Sequence, residues 1–394
     1  MNKTEIQQAL QSLSPNFDGE IFVDIPFRLI YATDASAYRE MPLAVVYPKT
    51  VEDIKKLVLF ALKNNTSLIP RTAGTSLAGQ VVGGGIVADV SKHMTKILEV
   101  NVEEHWVRVQ PGVILDELNK HLQQFGLFFG PETSTSSRCM IGGMVGNNAC
   151  GAHSLVYGST RDHTLELHTV LSDGSEAVFK PLTNKEFLAK CEGNSLENKV
   201  YKEAFEILNN KENQQEILKE YPDLSLERRN TGYALDLLLQ TSPFLNPEKA
   251  FNYSTLLAGS EGTLAFTTEI KLNLVPLPPK FKALVCVHLN TIQESLHANL
   301  IGLKSKPVAI ELMDKTVLEL TKENIEQNKN RFFVKGDPGA ILIVEFAEND
   351  FSEIERKSAE MEKAMKAAGY GFHFPLITGS DIKKVWELRK AGLG

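Results

Sequence analysis

Residues 70–92 read PRTAGTSLAGQVVGGGIVADVSK, and small or hydroxyl-bearing side chains crowd the first part of the stretch. Thr72, Ala73, Gly74, Thr75 and Ser76 directly follow an apolar strand-like run. Such residues leave backbone N–H groups uncovered and admit backbone angles that bulky residues resist. A run of uncovered N–H groups forms a nest for an anion, and phosphate is the usual guest. The chemistry this pattern points to is binding of a phosphate-bearing ligand.

Two further segments share the character. Residues 130–162 read GPETSTSSRCMIGGMVGNNACGAHSLVYGSTRD, and residues 259–269 read GSEGTLAFTTE. Gly142, Gly143, Gly146 and Gly151 would let backbone approach a flat ring. Ser134, Ser136, Ser137, Asn147 and Asn148 supply hydrogen-bonding groups for a polyhydroxyl chain or a ring edge. Three such segments spread along one chain suit a long ligand with phosphate, sugar and ring parts. A single glycine-rich loop is more often a tight turn. The G-x-G-x-x-G pattern of a dinucleotide fold and the G-x-x-x-x-G-K-[ST] pattern of a phosphate loop are both absent.

PRTAGTSLAGQ, the TSTSSRCMIGGMVGNNACGAHSLVYGSTRD run and GSEGTLAFTTE resemble the three signature segments of the FAD-linked oxidases of the vanillyl-alcohol oxidase (PCMH) superfamily, in the same order. AGTSLAGQ and GGMVGNNACGAHS are most similar to the long bacterial 2-hydroxy-acid dehydrogenases of D-lactate, glycolate and D-2-hydroxyglutarate type. In those, an FAD half precedes an iron–sulfur half. The resemblance implies an α+β chain: a PCMH-type FAD-binding domain of two α+β subdomains, then an α+β cap domain that is incomplete here. It places the FAD-binding domain at residues 1–278, with a polar helical insertion at about 180–228, and the substrate or cap domain at 279–394.

The resemblance also implies site residues. Arg71, Thr72, Ala73, Gly74, Thr75, Ser76 and Leu77 would hold the pyrophosphate. Glu132, Thr133 and Ser136 would line the cofactor. Gly142, Gly143, Asn147 and Asn148 would surround the flavin and ribityl chain, and Glu261 and Gly262 would touch the cofactor from the third segment. Thr75 stands where some superfamily members attach flavin to a histidine, so the FAD is expected to be non-covalent. Arg389, in WELRK, falls where the family grips the substrate carboxylate, a task that suits the arginine fork. RNTGYALD, from Arg229 to Asp236, resembles a family segment near the flavin and brings in Tyr233. The family's metal-binding and catalytic histidines would come after Gly394, as would its iron–sulfur cysteines. This chain is therefore expected to bind FAD but to oxidise 2-hydroxy acids very slowly, if at all.

The leading expectation is an enzyme that oxidises a small D-2-hydroxy acid and passes electrons to a further acceptor, such as an iron–sulfur domain. The alternatives are a non-catalytic FAD-binding subunit or fragment that needs a partner, and a reductase of the sugar-nucleotide type that uses NADPH.

The elements that must position these segments can be read from apolar spacing. The strand LAVVY (43–47) leads to a helix capped by Thr50, with Asp53 three residues on and Ile54, Leu57, Val58, Ala61 and Leu62 inward. SLIP and GIVADVS are strands around the first loop. A strand at WVRVQPG precedes a helix with Ile114, Leu118, Leu122 and Phe125 inward. LELHTVLSDG ends in a turn at Asp173-Gly174. Residues 180–228 are polar and are expected to add little to the core. After the proline-rich PLPPK, strands and helices alternate as an α+β domain with an antiparallel or mixed sheet.

Composition sets the outer bounds. The chain has 394 residues and a net charge of −7, which argues against nucleic acid as the main partner. Four scattered cysteines without C-x-x-C and nine histidines without H-x-H or H-E-x-x-H give no disulfide framework and no metal site. The N-terminal residues lack an apolar signal region, and no run is long enough to span a bilayer. A cytoplasmic location, free or peripheral to the membrane, fits these features.

Overall fold

The computed structural model describes residues 2–226, 228–229 and 232–391. The chain forms two compact units. The first joins Met1–Cys150 to Ser159–Pro276; the second joins Gly151–Gly158 to the chain from Leu277 onward.

The first unit holds two main sheets. A four-stranded sheet runs in the order Glu20–Phe22, Ala44–Tyr47, Ile86–Asp89, Leu68–Arg71. Its last three strands are parallel, and Glu20–Phe22 is antiparallel. The helix Val51–Lys63 provides the crossover between the two outer parallel strands and buries Ile54, Leu57, Phe60 and Ala61. Leu62 is 64% exposed, so the inward face is centred one residue away from where the spacing put it. Thr50 caps the helix by accepting from Asp53 N at 3.1 Å. Asp53 does not return the bond. Its buried carboxylate instead accepts from Asp18 N and Lys49 N, at 2.9 and 3.0 Å, and ties the preceding chain to the helix start.

The second sheet is antiparallel, in the order Ile97–Asn101, Trp106–Val109, Phe266–Asn273, Thr164–Val170, Glu176–Phe179. Phe266–Asn273 alternates buried and half-buried residues along its whole length, as a strand with one core face does. Asp173-Gly174 makes the hairpin between the last two strands, with Gly174 at φ +81°. The helix Leu115–Leu122 packs on this core through Leu115, Leu118 and Leu122. Phe125 lies beyond the helix in a 3-10 turn and is 37% exposed, contrary to its predicted inward place.

The polar stretch folds into helices Asn184–Lys190, Leu196–Asn209 and Lys211–Glu220. It is not marginal to the core. Phe187 and Tyr201 are fully buried, and Leu208 and Ile217 join them. Phe187 meets Phe251 at 4.6 Å between ring centroids, and Tyr201 meets Tyr253 edge-on at 4.9 Å. Few apolar positions suffice because each aromatic buries a large area.

The second unit is an antiparallel sheet in the order Ala309–Asp314, Ala340–Glu348, Phe281–Leu289, Leu376–Thr378. One face packs Val285, Val287, Leu342 and Val344 against the helix Phe351–Ala367 through Ile354, Met361 and Met365. The other face packs Leu284, Met313, Ile341 and Ile343 with Leu318, Val385 and Leu388. The last two belong to the helix Asp381–Lys390. Among the described residues no helix is long and apolar enough to cross a membrane.

Candidate functional site

The first loop leaves the end of the parallel strand Leu68–Arg71. Among the described residues, no backbone N–H from Thr72 to Gln80 donates a hydrogen bond within the protein. Most of these positions are half-buried, so a row of donors without a protein partner runs along the loop. The loop is held from behind. Ala35 N donates to Gly74 O at 3.1 Å. Arg71 turns its guanidinium away, donating to Thr33 O at 3.0 Å and lying 4.9 Å from the Tyr31 ring centroid. Gly74 has φ +64°, and a Cβ there would stand 2.8 Å from the Arg71 guanidinium. Leu77, at the tip, is 69% exposed.

The three small-residue segments converge. Glu261 N donates to Gly146 O, and Gly259 N to Val145 O, each at 2.9 Å, which joins the third segment to the second. A Cβ on Gly143 would lie 2.6 Å from Thr72 Oγ1, so the second segment passes directly against the first. A Cβ on Gly262 would lie 3.1 Å from Pro70. Gln80 Nε2 reaches Asn147 Oδ1 at 3.4 Å and Glu261 Oε1 at 3.2 Å, touching both other segments with one amide. Glu261 and Gly262 are successive residues in the left-handed region, at φ +54° and +75°.

Other predicted residues serve the frame. Gly142 N donates to Pro111 O at 2.8 Å, and its missing Cβ admits Pro111. Asn148 is buried with φ +48°; its Oδ1 accepts from Arg161 N at 2.8 Å. Thr133 Oγ1 bonds Cys139 Sγ at 3.2 Å, and Ser136 O accepts from Asp116 N at 3.2 Å. Glu132 is half-buried beside them.

Arg161 was missed by sequence reasoning. It is 6% exposed, and it donates from Nε and Nη2 to Ala258 O at 3.0 and 2.7 Å and from Nη2 to Gly232 O at 2.6 Å. It thereby fixes the approach to the third segment and the chain before Tyr233. Its only signal was position, inside the conspicuous GSTRD run. Tyr233 is 43% exposed and shares a 2.7 Å hydrogen bond with Thr263 Oγ1. Asn230 and Thr231 of the RNTGYALD run lie outside the described residues.

The residues that converge here fit a flavin dinucleotide. Orphan backbone donors suit a pyrophosphate. Among the described residues the buried Gln80 Oε1 has no partner, and it suits a hydroxyl or ring N–H donor.

In the second unit, Arg389 lies on the helix Asp381–Lys390 and faces Glu311, with Nε and Nη2 at 3.1 and 2.6 Å from one carboxylate oxygen. Nearby, Glu345 receives His153 Nε2 at 3.0 Å and Trp386 Nε1 at 3.1 Å, with Lys282 Nζ at 3.4 Å. Burial pushes the Glu345 carboxyl upward, but the His153 and Lys282 contacts outweigh it and hold it below the usual carboxylate range.

A family model described as "FAD binding domain" matches residues 42–179, and one described as "FAD linked oxidases, C-terminal domain" matches residues 278–394. The chain carries an FAD-binding domain and the C-terminal domain of FAD-linked oxidases. This FAD-binding chain is 34% identical to a D-2-hydroxyglutarate dehydrogenase of Pseudomonas putida, covering 100% of the chain and 39% of that protein. It is 37% identical to a D-2-hydroxyglutarate dehydrogenase of Haemophilus influenzae, over 96% of the chain and 38% of the relative. The "Glycolate oxidase subunit GlcD" of Bacillus subtilis is 25% identical, over 86% of the chain and 58% of the relative. The chain thus spans about two fifths of the length of the two D-2-hydroxyglutarate dehydrogenases. A solved alkyldihydroxyacetonephosphate synthase shares the fold, with a TM-score of 0.64 at 16% identity, covering 100% of the chain and 63% of that structure.

Proposed function

We propose that this chain is the flavin-bearing part of a dehydrogenase that oxidises a D-2-hydroxy acid to the 2-oxo acid, with D-2-hydroxyglutarate the first candidate. The observation that carries the reading is the convergence of three segments around orphan N–H donors, with Gln80 touching Asn147 and Glu261. Residues 72–80 hold the pyrophosphate through their backbone. Gln80, Asn147, Glu261 and Gly262 line the remainder of the cofactor, and Gly143 keeps the floor thin. Thr75 has a hydroxyl where a covalent flavin link would need a histidine, so the FAD is held non-covalently. Bound FAD supplies a two-electron acceptor for hydride from the Cα of the acid.

Arg389 receives the carboxylate of the acid. Its charge orients the substrate, and orientation of this kind is worth several kcal/mol in a two-body reaction. Electrons leave to a further acceptor, for which we propose an iron–sulfur domain, in the cytoplasm or at the membrane surface.

The test is anaerobic incubation of FAD-loaded protein with D-2-hydroxyglutarate, D-lactate, glycolate or NADPH in turn. Loss of the visible flavin band is expected with at least one acid. Bleaching by NADPH alone would move the protein to the reductase class.

A further inference from the structure

A buried carboxylate on an apolar sheet face loses its hydration and needs several donors in return. Glu345 is 1% exposed and lies on the same face of its strand as Ile341 and Ile343. Replacing such a buried charge by a packed apolar residue is often neutral or stabilising, so stability alone does not account for it. Its three donors come from three separate parts of the second unit. Lys282 belongs to the strand Phe281–Leu289. His153 belongs to Gly151–Gly158, the segment that follows the glycine-rich second segment. Trp386 stands one helical turn before Arg389.

The neighbouring strand supplies a second carboxylate. Ala309 is the register partner of Glu345, and Glu311 follows two residues later on the same face. Glu311 holds Arg389 through Nε and Nη2. Among the described residues Arg389 Nη1 has no protein partner, so one edge of the guanidinium stays available. Two carboxylates on adjacent strands thus grip one helix at Trp386 and Arg389. Glu345 also grips the segment that trails the cofactor loop.

We infer that Glu345 is a positioning residue for the Arg389 clamp: by binding Trp386 and His153 with its two oxygens, it fixes the helix that aims Arg389 relative to the segment continuing from the cofactor cradle. This rests on the reading of Arg389 as the carboxylate clamp. Glu345 itself touches no substrate.

The experiment uses the FAD-loaded 394-residue chain carrying Trp106→Phe, which leaves Trp386 as its sole tryptophan. Flavin reduction by D-2-hydroxyglutarate gives an apparent Kd and a limiting rate, and Trp386 emission reports the local environment. Glu345→Gln is expected to raise the apparent Kd about tenfold, to change the limiting rate by less than about twofold, and to red-shift Trp386 emission, with FAD affinity unchanged. A folded Glu345→Gln protein with unchanged apparent Kd and emission overturns the inference. If Glu345→Gln does not fold, Trp386→Phe removes one donor only; it is expected to raise the apparent Kd at least about threefold, and no rise overturns the inference. Arg389→Ala separates the two readings. If it is reduced as readily as the parent, the clamp itself is wrong, and if it is crippled while Glu345→Gln is normal, only the positioning role is wrong. A parent chain that no concentration of the acid reduces contradicts both.

Discussion

Gln80 and Glu261 lie 181 residues apart in sequence and meet in a 3.2 Å hydrogen bond, the amide Nε2 donating to the carboxylate Oε1. The same nitrogen reaches Asn147 Oδ1 at 3.4 Å. One side chain therefore joins all three small-residue segments, and its own buried carbonyl oxygen has no partner among the described residues. Gln80→Leu removes these bonds at little cost in volume. We expect it to weaken FAD binding about tenfold, as the loss of bonds worth about 1–2 kcal/mol implies, while Tm changes little. An FAD titration by flavin fluorescence checks it; affinity equal to wild type would mean that Gln80 does not organise the cradle.

Tyr201 tests the core role of the helical stretch at 184–220. It is fully buried and packs edge-on against Tyr253 and Phe187. Tyr201→Ala should cost about 3–5 kcal/mol, the usual range for a deleted buried aromatic. Denaturant unfolding measures it. A cost under about 1 kcal/mol would show that the stretch is peripheral after all.

Acid stability should carry a contribution from His288. It is fully buried, its Nδ1 is 2.9 Å from Cys286 O, and its Nε2 accepts from Lys335 N at 3.1 Å. Burial, with His373 nearby, lowers its pKa to about 4. The unfolded chain takes up a proton near the ordinary histidine value of about 6.5, and the folded chain does so only near 4. Folding therefore excludes that proton, and stability falls as pH drops from about 6.5 to about 4, by on the order of 3 kcal/mol in full. His288→Gln should flatten the loss across that window. Parallel pH profiles for the two proteins would contradict it.

Much of the frame was legible. Apolar strands and the Thr50 cap are local signals, so the crossover around the first loop could be read before the structure. The three segments that converge declared themselves by small residues and glycines. Three things escaped. The helices between 184 and 220 carry few apolar residues, but Phe187 and Tyr201 fill the centre of a core completed by Phe251 and Tyr253, distant in sequence. Arg161 looks like a surface charge until Ala258 O and Gly232 O are seen to surround it. Gly151–Gly158 belongs to the second unit, where His153 meets Glu345, 192 residues away. Each is a long-range contact, and periodicity reports only on near neighbours.

The most direct measurement is an FAD titration of the apoprotein and of Gly74→Val and Thr72→Ser. Gly74 sits at φ +64°, which a β-branched residue resists, and its substitution would also displace Arg71, the side chain that anchors the loop from behind. The account predicts saturable FAD binding by the parent, near-parent binding by Thr72→Ser, and loss of retained flavin in folded Gly74→Val. It also predicts that the parent's yellow colour leaves with the wash after denaturation. Equal FAD occupancy in Gly74→Val, or colour that stays with the washed precipitate, would contradict it.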